Sequence, residues 1–72
     1  MRDVKRNLKM KGARQAKGLS QEELAKLAGV SRQTINMIER GDFNPSLRLC
    51  LGICRILDRT LDELFWEEEE ER

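Results

Sequence analysis

Arg32, Gln33, Asn36 and Met37 are the side chains here whose types and spacing could do recognition chemistry. They fall in a segment that reads as a helix over 32–40. Ser31 stands where an N-cap belongs, Ile35 and Ile38 recur at i, i+3, and Gly41 stops the run. With residues about 100° apart around the axis, Ile35 and Ile38 mark an inner side, flanked by Thr34 and Glu39. Gln33, Asn36, Met37 and Arg40 point the other way, with Arg32 beside them in the first turn. Surface helices of small domains are usually built from Glu and Lys. A face of Arg, Gln and Asn carries instead the groups that make paired hydrogen bonds to base edges in the DNA major groove. Taken alone, the face also reads as an ordinary solvated one.

The elements that must position this face lie just upstream. Ser20-Gln21-Glu22-Glu23 is a capping box: the Ser20 hydroxyl takes the Glu23 amide and Glu23 reaches back. Leu24, Leu27 and Ala28 are expected on the buried face of the helix it opens. Ala25 sits where a second helix must cross closely, and Gly29 where the helix ends in the left-handed conformation.

Two short helices joined by so tight a turn have a precedent. Gln21 to Arg40 resembles the helix-turn-helix of the Xre family, the group that includes the phage Cro and lambda repressors. Ala25 at the fifth position, Gly29 at the ninth, and Leu24, Val30, Ile35 and Ile38 at the fourth, tenth, fifteenth and eighteenth carry the match. GLSQEELA (Gly18 to Ala25), VSRQTI (Val30 to Ile35) and FNPSL (Phe43 to Leu47) extend it to about residues 10–65. The resemblance implies an all-α, compact five-helix, lambda-repressor-like DNA-binding domain whose second motif helix lies in the major groove. On that basis Gln33, Asn36 and Met37 read bases, Met37 against a thymine methyl, and Arg32 meets a guanine or a phosphate. Gln21 and Thr34 hold phosphates near helix starts, and Arg40, Asn44 and Ser46 extend the grip along the strand. For Ser46, pure helix capping is an equal reading. Arg14 and Glu39 stand at positions where family members pair an Arg of the first helix with a Glu ending the recognition helix.

Length and composition set the outer bounds. A chain of 72 residues holds one domain. So small a domain buries only about 60% of its unfolded surface and gains from dimerisation. Without any His, the commonest general base and metal ligand is missing. Cys50 and Cys54 fall short of the roughly four ligands of a zinc site and read as small buried residues. No nucleophile-base pair or glycine-rich phosphate loop is present, so an enzyme is not expected, nor a cofactor, metal or small-molecule ligand. The lack of a long apolar run or signal-peptide pattern leads to the expectation of a cytoplasmic protein without a membrane partner. The net charge of +1 hides segregation: residues 1–17 carry +6 and residues 58–72 carry −6. A polyanion would approach one end and be repelled at the other.

The remaining elements follow in order. A first helix runs from about Leu8 to Lys17, with Met10, Ala13 and Ala16 inward and Gly18 at its end. Leu19 packs under the turn as a hydrophobic staple. Phe43, in the loop that Asn44-Pro45 forms, is expected to plug the core. The helix from Leu47 to Leu57 is apolar around well over half its circumference, which points to a second buried surface beyond the core. A second capping box, Thr60 to Glu63, opens a short fifth helix.

Leu61, Leu64, Phe65 and Trp66 are then the expected dimer anchors, because so small a chain offers them no deep core. Alternatively, Leu64 to Trp66 pairs as a strand with the stretch from Val4 to Leu8. The domain is drawn as 1–66, with 67–72 an acidic tail. The function expected is a sequence-specific regulator of transcription, a repressor binding a palindromic operator on double-stranded DNA as a homodimer. The alternative is a regulator or antitoxin whose partner is a protein.

Overall fold

The computed structural model describes residues 7–65, and these form five helices with no strand among them. They are α1 (Leu8–Ala16), α2 (Gln21–Ala28), α3 (Arg32–Arg40), α4 (Leu47–Leu57) and α5 (Leu61–Phe65). Local chemistry defines nearly every boundary. Asn7, Ser20, Ser31 and Ser46 each cap the helix that follows, their side chains accepting from Met10, Glu23, Thr34 and Leu49 amides. Substituting such a cap by Ala costs about 1 kcal/mol. The expected capping box at α2 is complete, with Ser20 N donating to Glu23 at 2.8 Å and Glu23 N to Ser20 Oγ at 3.0 Å. The one opening α5 is complete as well, at 2.7 and 3.2 Å between Thr60 and Glu63. Gly29 and Gly41 end α2 and α3 with φ of 76° and 85°. Asp58 does the same for α4 with φ 61°, the one described non-glycine residue in that region.

All five helices contribute to one core. Met10 from α1, Leu24 from α2, Ile35 from α3 and Ile53 and Leu57 from α4 are fully buried, with Ile38, Cys54 and Leu64 packed among them. Each of the large side chains stabilises the fold by roughly 1.5–3 kcal/mol relative to leaving it exposed. α2 packs on α3 and α4, while α1 lies against α3 and α5. α3 is thereby held by two other helices, α1 and α2.

Four apolar expectations are corrected. Leu27 is exposed, because α2 turns Leu24, Ala25 and Ala28 inward. Ala28 lies near the middle of that face, with Leu24 and Ala25 to either side, which leaves Leu27 about 100° off it. Ala16 is exposed, and Arg14 takes the third inward place on α1. Phe43 is 41% exposed, since the loop between α3 and α4 runs over the surface above a core already filled by the helices. Leu64, assigned to a dimer interface, is 3% exposed and belongs to the core of its own chain. α5 lies against both α1 and α4, so the deep core it was thought to lack is there. Leu61 and Phe65 are half-buried and pack on that core's edge. The expected strand pairing with Val4 to Leu8 is corrected where it can be seen, since Leu64 and Phe65 belong to α5 and Leu8 to α1, each held by helical hydrogen bonding. Trp66, the stretch 4–6 and the acidic run 67–72 lie outside the described residues.

Candidate nucleic-acid interface

The turn from α2 to α3 takes three residues, and each has a physical task. Gly29 takes the left-handed conformation, which lets Val30 N reach back to the Ala25 carbonyl at 3.0 Å. Val30 tucks against the core. Ser31 turns extended and caps α3, its Oγ accepting from Thr34 N at 3.1 Å and lying 3.0 Å from Thr34 Oγ1. The start of α3 is therefore fixed, and with it the direction of its outer face.

Ile35 and Ile38 anchor the inner side at 0 and 3% exposure. Arg32, Gln33 and Arg40 stand out into solvent, while Thr34, Asn36 and Met37 are half-buried. Arg40 forms an exposed ion pair with Asp42 at 3.3 Å, a contact a phosphate could replace at little cost. Asn44 and Ser46 are exposed on the following loop, where Ser46 Oγ already accepts from Leu49 N at 3.2 Å.

Beneath this face lies a buried ion pair. Arg14 Nε donates to Glu39 Oε2 at 2.7 Å and Arg14 Nη2 to Oε1 at 3.2 Å, in the two-pronged geometry a guanidinium favours. Arg14 Nη1 goes to the Leu19 carbonyl at 2.9 Å, and the two residues are only 7 and 6% exposed. The main chain adds to the junction: Asn7 N donates to the Glu39 carbonyl at 2.9 Å. Gln21 then extends the network outward. Its Nε2 donates to Glu39 Oε1 at 3.1 Å, and its Oε1 accepts from Asn36 Nδ2 at 3.3 Å. The structure thus joins Arg14, Glu39, Gln21 and Asn36, four residues the sequence had sorted into three separate roles. The missed signal was chemical. A buried carboxylate has more lone-pair sites than one guanidinium fills, and Gln21, at the first position of a neighbouring helix, is a donor within reach.

Cys50 and Cys54 face the core side of α4, where burial pushes both thiols up, so they stay protonated and unreactive near neutrality. No group of three or more His, Cys, Asp or Glu among the described residues could hold a metal ion.

A capped helix, a glycine turn, and a second helix anchored by two isoleucines with a donor-rich outer face match a known pattern. The sequence profile of the helix-turn-helix family covers residues 10–64. The chain belongs to that family, in its Xre-like branch. It is 47% identical over 62 residues to the HTH-type transcriptional regulator YgzD of Bacillus subtilis, spanning 86% of this chain and 94% of that one. An HTH-type transcriptional regulator of Methanocaldococcus jannaschii, MJ0272, is 43% identical over 63 residues, with 88 and 96% covered. Among solved structures, the restriction-modification controller protein C.AhdI from Aeromonas hydrophila superposes with a TM-score of 0.78 at 44% identity. That match covers 86% of this chain and 94% of C.AhdI. The clp gene regulator ClgR from Corynebacterium glutamicum gives 0.73 at 27% identity, covering 76 and 58%. The chain is a transcriptional regulator with a helix-turn-helix DNA-binding domain of lambda-repressor-like fold. No helix among the described residues is long and apolar enough to cross a membrane.

Proposed function

We propose that the protein is a cytoplasmic, sequence-specific repressor that binds a palindromic operator on double-stranded DNA as a homodimer. The observation that carries this is the outer face of α3. Arg32, Gln33, Asn36 and Met37 occupy it, on a helix fixed at its start by the Ser31 cap and underneath by Ile35 and Ile38. Gln33 and Asn36 pair with adenine edges, Met37 packs on a thymine methyl, and Arg32 meets a guanine or a phosphate. Thr34, Arg40, Asn44 and Ser46 run along the sugar-phosphate backbone. The first-turn amide of Gln21 joins them, since its side chain already has protein partners.

One recognition helix reads too few bases for an operator. Two related by a dyad read half-sites roughly 34 Å apart. Support for a second copy comes from Leu61 and Phe65, half-buried on α5, and from the exposed Leu47 and Leu51 on α4, with Trp66 beyond the described residues. The same exposed leucines favour, as a second reading, a regulator or antitoxin that docks on a protein.

The test is a binding titration on palindromic duplexes selected from random DNA, at several salt concentrations, with sedimentation of the free protein and of the complex. A strong site preference, a steep salt slope and two chains per site support the repressor reading. No preference and no salt dependence defeat it in favour of the protein-partner reading. One chain per duplex defeats the homodimer.

A further inference from the structure

We infer that Gln21 is a positioning residue that fixes the orientation of the Asn36 amide and so sets a preference for adenine over guanine at the base pair Asn36 reads. The inference rests on the reading that α3 enters the major groove. It begins from Glu39, whose buried carboxylate can only accept hydrogen bonds. Arg14 takes both of its oxygens, and Gln21 adds a third donor at Oε1, 3.1 Å away. A flipped Gln21 would set its carbonyl against the carboxylate, acceptor facing acceptor. The charge of Glu39 therefore decides which way the Gln21 amide lies, and Oε1 must face outward.

That oxygen accepts from Asn36 Nδ2 at 3.3 Å, and the choice is handed on. The flipped Asn36 would again oppose two acceptors. One Asn36 N–H is spent on Gln21. The other N–H and Oδ1 remain, a donor and an acceptor side by side. Adenine offers the complementary pair, N7 to accept and N6–H to donate, whereas guanine offers two acceptors, N7 and O6. A free asparagine could turn its NH2 toward guanine. One held by Gln21 keeps its oxygen in place and meets O6 unfavourably. A buried ion pair between α1 and α3 thus sets the hydrogen-bond polarity at the groove through one glutamine.

The experiment compares wild type, Gln21→Ala, Asn36→Ala and the double variant on duplexes substituted at each operator position. The position read by Asn36 is the one whose preference Asn36→Ala abolishes. There, Gln21→Ala is expected to lower the adenine-over-guanine ratio by about tenfold, a larger change than at any other operator position. In the Asn36→Ala background the same change is expected to leave the ratio where it is. Gln21→Met keeps the side-chain length and lacks the amide, so it repeats the result if the alanine variant unfolds. A loss of affinity equal on every duplex, with the salt slope flatter by about one, would make Gln21 a phosphate contact and overturn the inference. So would additive losses in the double variant. If Asn36→Ala leaves every base preference intact, it is the groove reading of Asn36 that fails, and the inference falls with it.

Discussion

Arg14 and Glu39, 25 residues apart in sequence, meet side by side under the recognition helix, with Nε to Oε2 at 2.7 Å. Each is nearly removed from water, so neither can lose its partner without stranding a charge. We expect Arg14→Ala or Glu39→Ala alone to destabilise the fold by about 3–5 kcal/mol, while replacing both by apolar residues of similar size costs far less. Thermal unfolding of the two single variants and an Arg14→Met, Glu39→Leu double variant measures this. Insensitivity to either single change would mean that the pair contributes nothing in solution.

Gln33 and Arg40 both stand exposed on α3, yet they are expected to fail differently. Gln33→Ala lowers affinity for the preferred site by about 1–3 kcal/mol and relaxes choice at one base pair. Arg40→Ala weakens all duplexes alike and reduces the salt slope by about one. Titrations on matched and mismatched duplexes at several salt concentrations separate the two. Equal losses on every duplex for Gln33→Ala would remove it from the base readers.

Asp58 holds φ 61° at the end of α4, where Arg59 N bonds to the Cys54 carbonyl at 3.0 Å. Glycine adopts that conformation without the Cβ penalty. Asp58→Gly should therefore stabilise the domain by up to about 1 kcal/mol, and Asp58→Val should destabilise it by more. Denaturant unfolding of the two variants provides the comparison, and a destabilised glycine variant would refute the argument.

Glu63 is held below the usual carboxylate range by the Thr60 N–H that its side chain accepts from, helped by the Thr60 hydroxyl and Arg59. A carboxyl with a depressed folded pKa stabilises the native state above its unfolded pKa, and that contribution disappears as pH falls through the folded value. Melting temperatures of wild type and Glu63→Gln should therefore differ at neutral pH and converge as the pH falls below the usual carboxylate range. Because the side chain lies at the surface, the gap should be small. A gap that widens on acidification would contradict the sign.

The helix ends were legible because they are written in local chemistry. Ser20, Gly29, Ser31, Gly41 and the Thr60–Glu63 box act within a few residues of themselves, and each does what its type requires. Leu27 and Ala16 were misjudged because hydrophobicity alone does not say which side of a narrow stripe closes first, and Phe43 because its loop runs over a core the helices already fill. On α2 the small Ala25, which lets α3 come close, shifted that stripe. Leu64 went astray for the opposite reason: a short helix looked too peripheral to reach a core that α1 and α4 in fact bring to it. At the interface, the outer face of α3 could be read by period. The link from Gln21 to both Glu39 and Asn36 could not, because it spans 18 residues to the first and 15 to the second and depends on how two helices cross.

Gln21 belongs to α2, and Asn36, to which it is hydrogen-bonded, belongs to α3. If Asn36 reads a base, specificity is accordingly not portable as a single helix. Grafting residues 32–40 onto another scaffold would transfer Asn36 and leave behind the group that aims it, so the chimera should recognise a looser family of sites than the parent. A faithful transplant would need Gln21, Glu39 and the guanidinium behind them. For anyone re-engineering this scaffold to a new target, the smallest exchangeable cassette is then a cross-section through three helices.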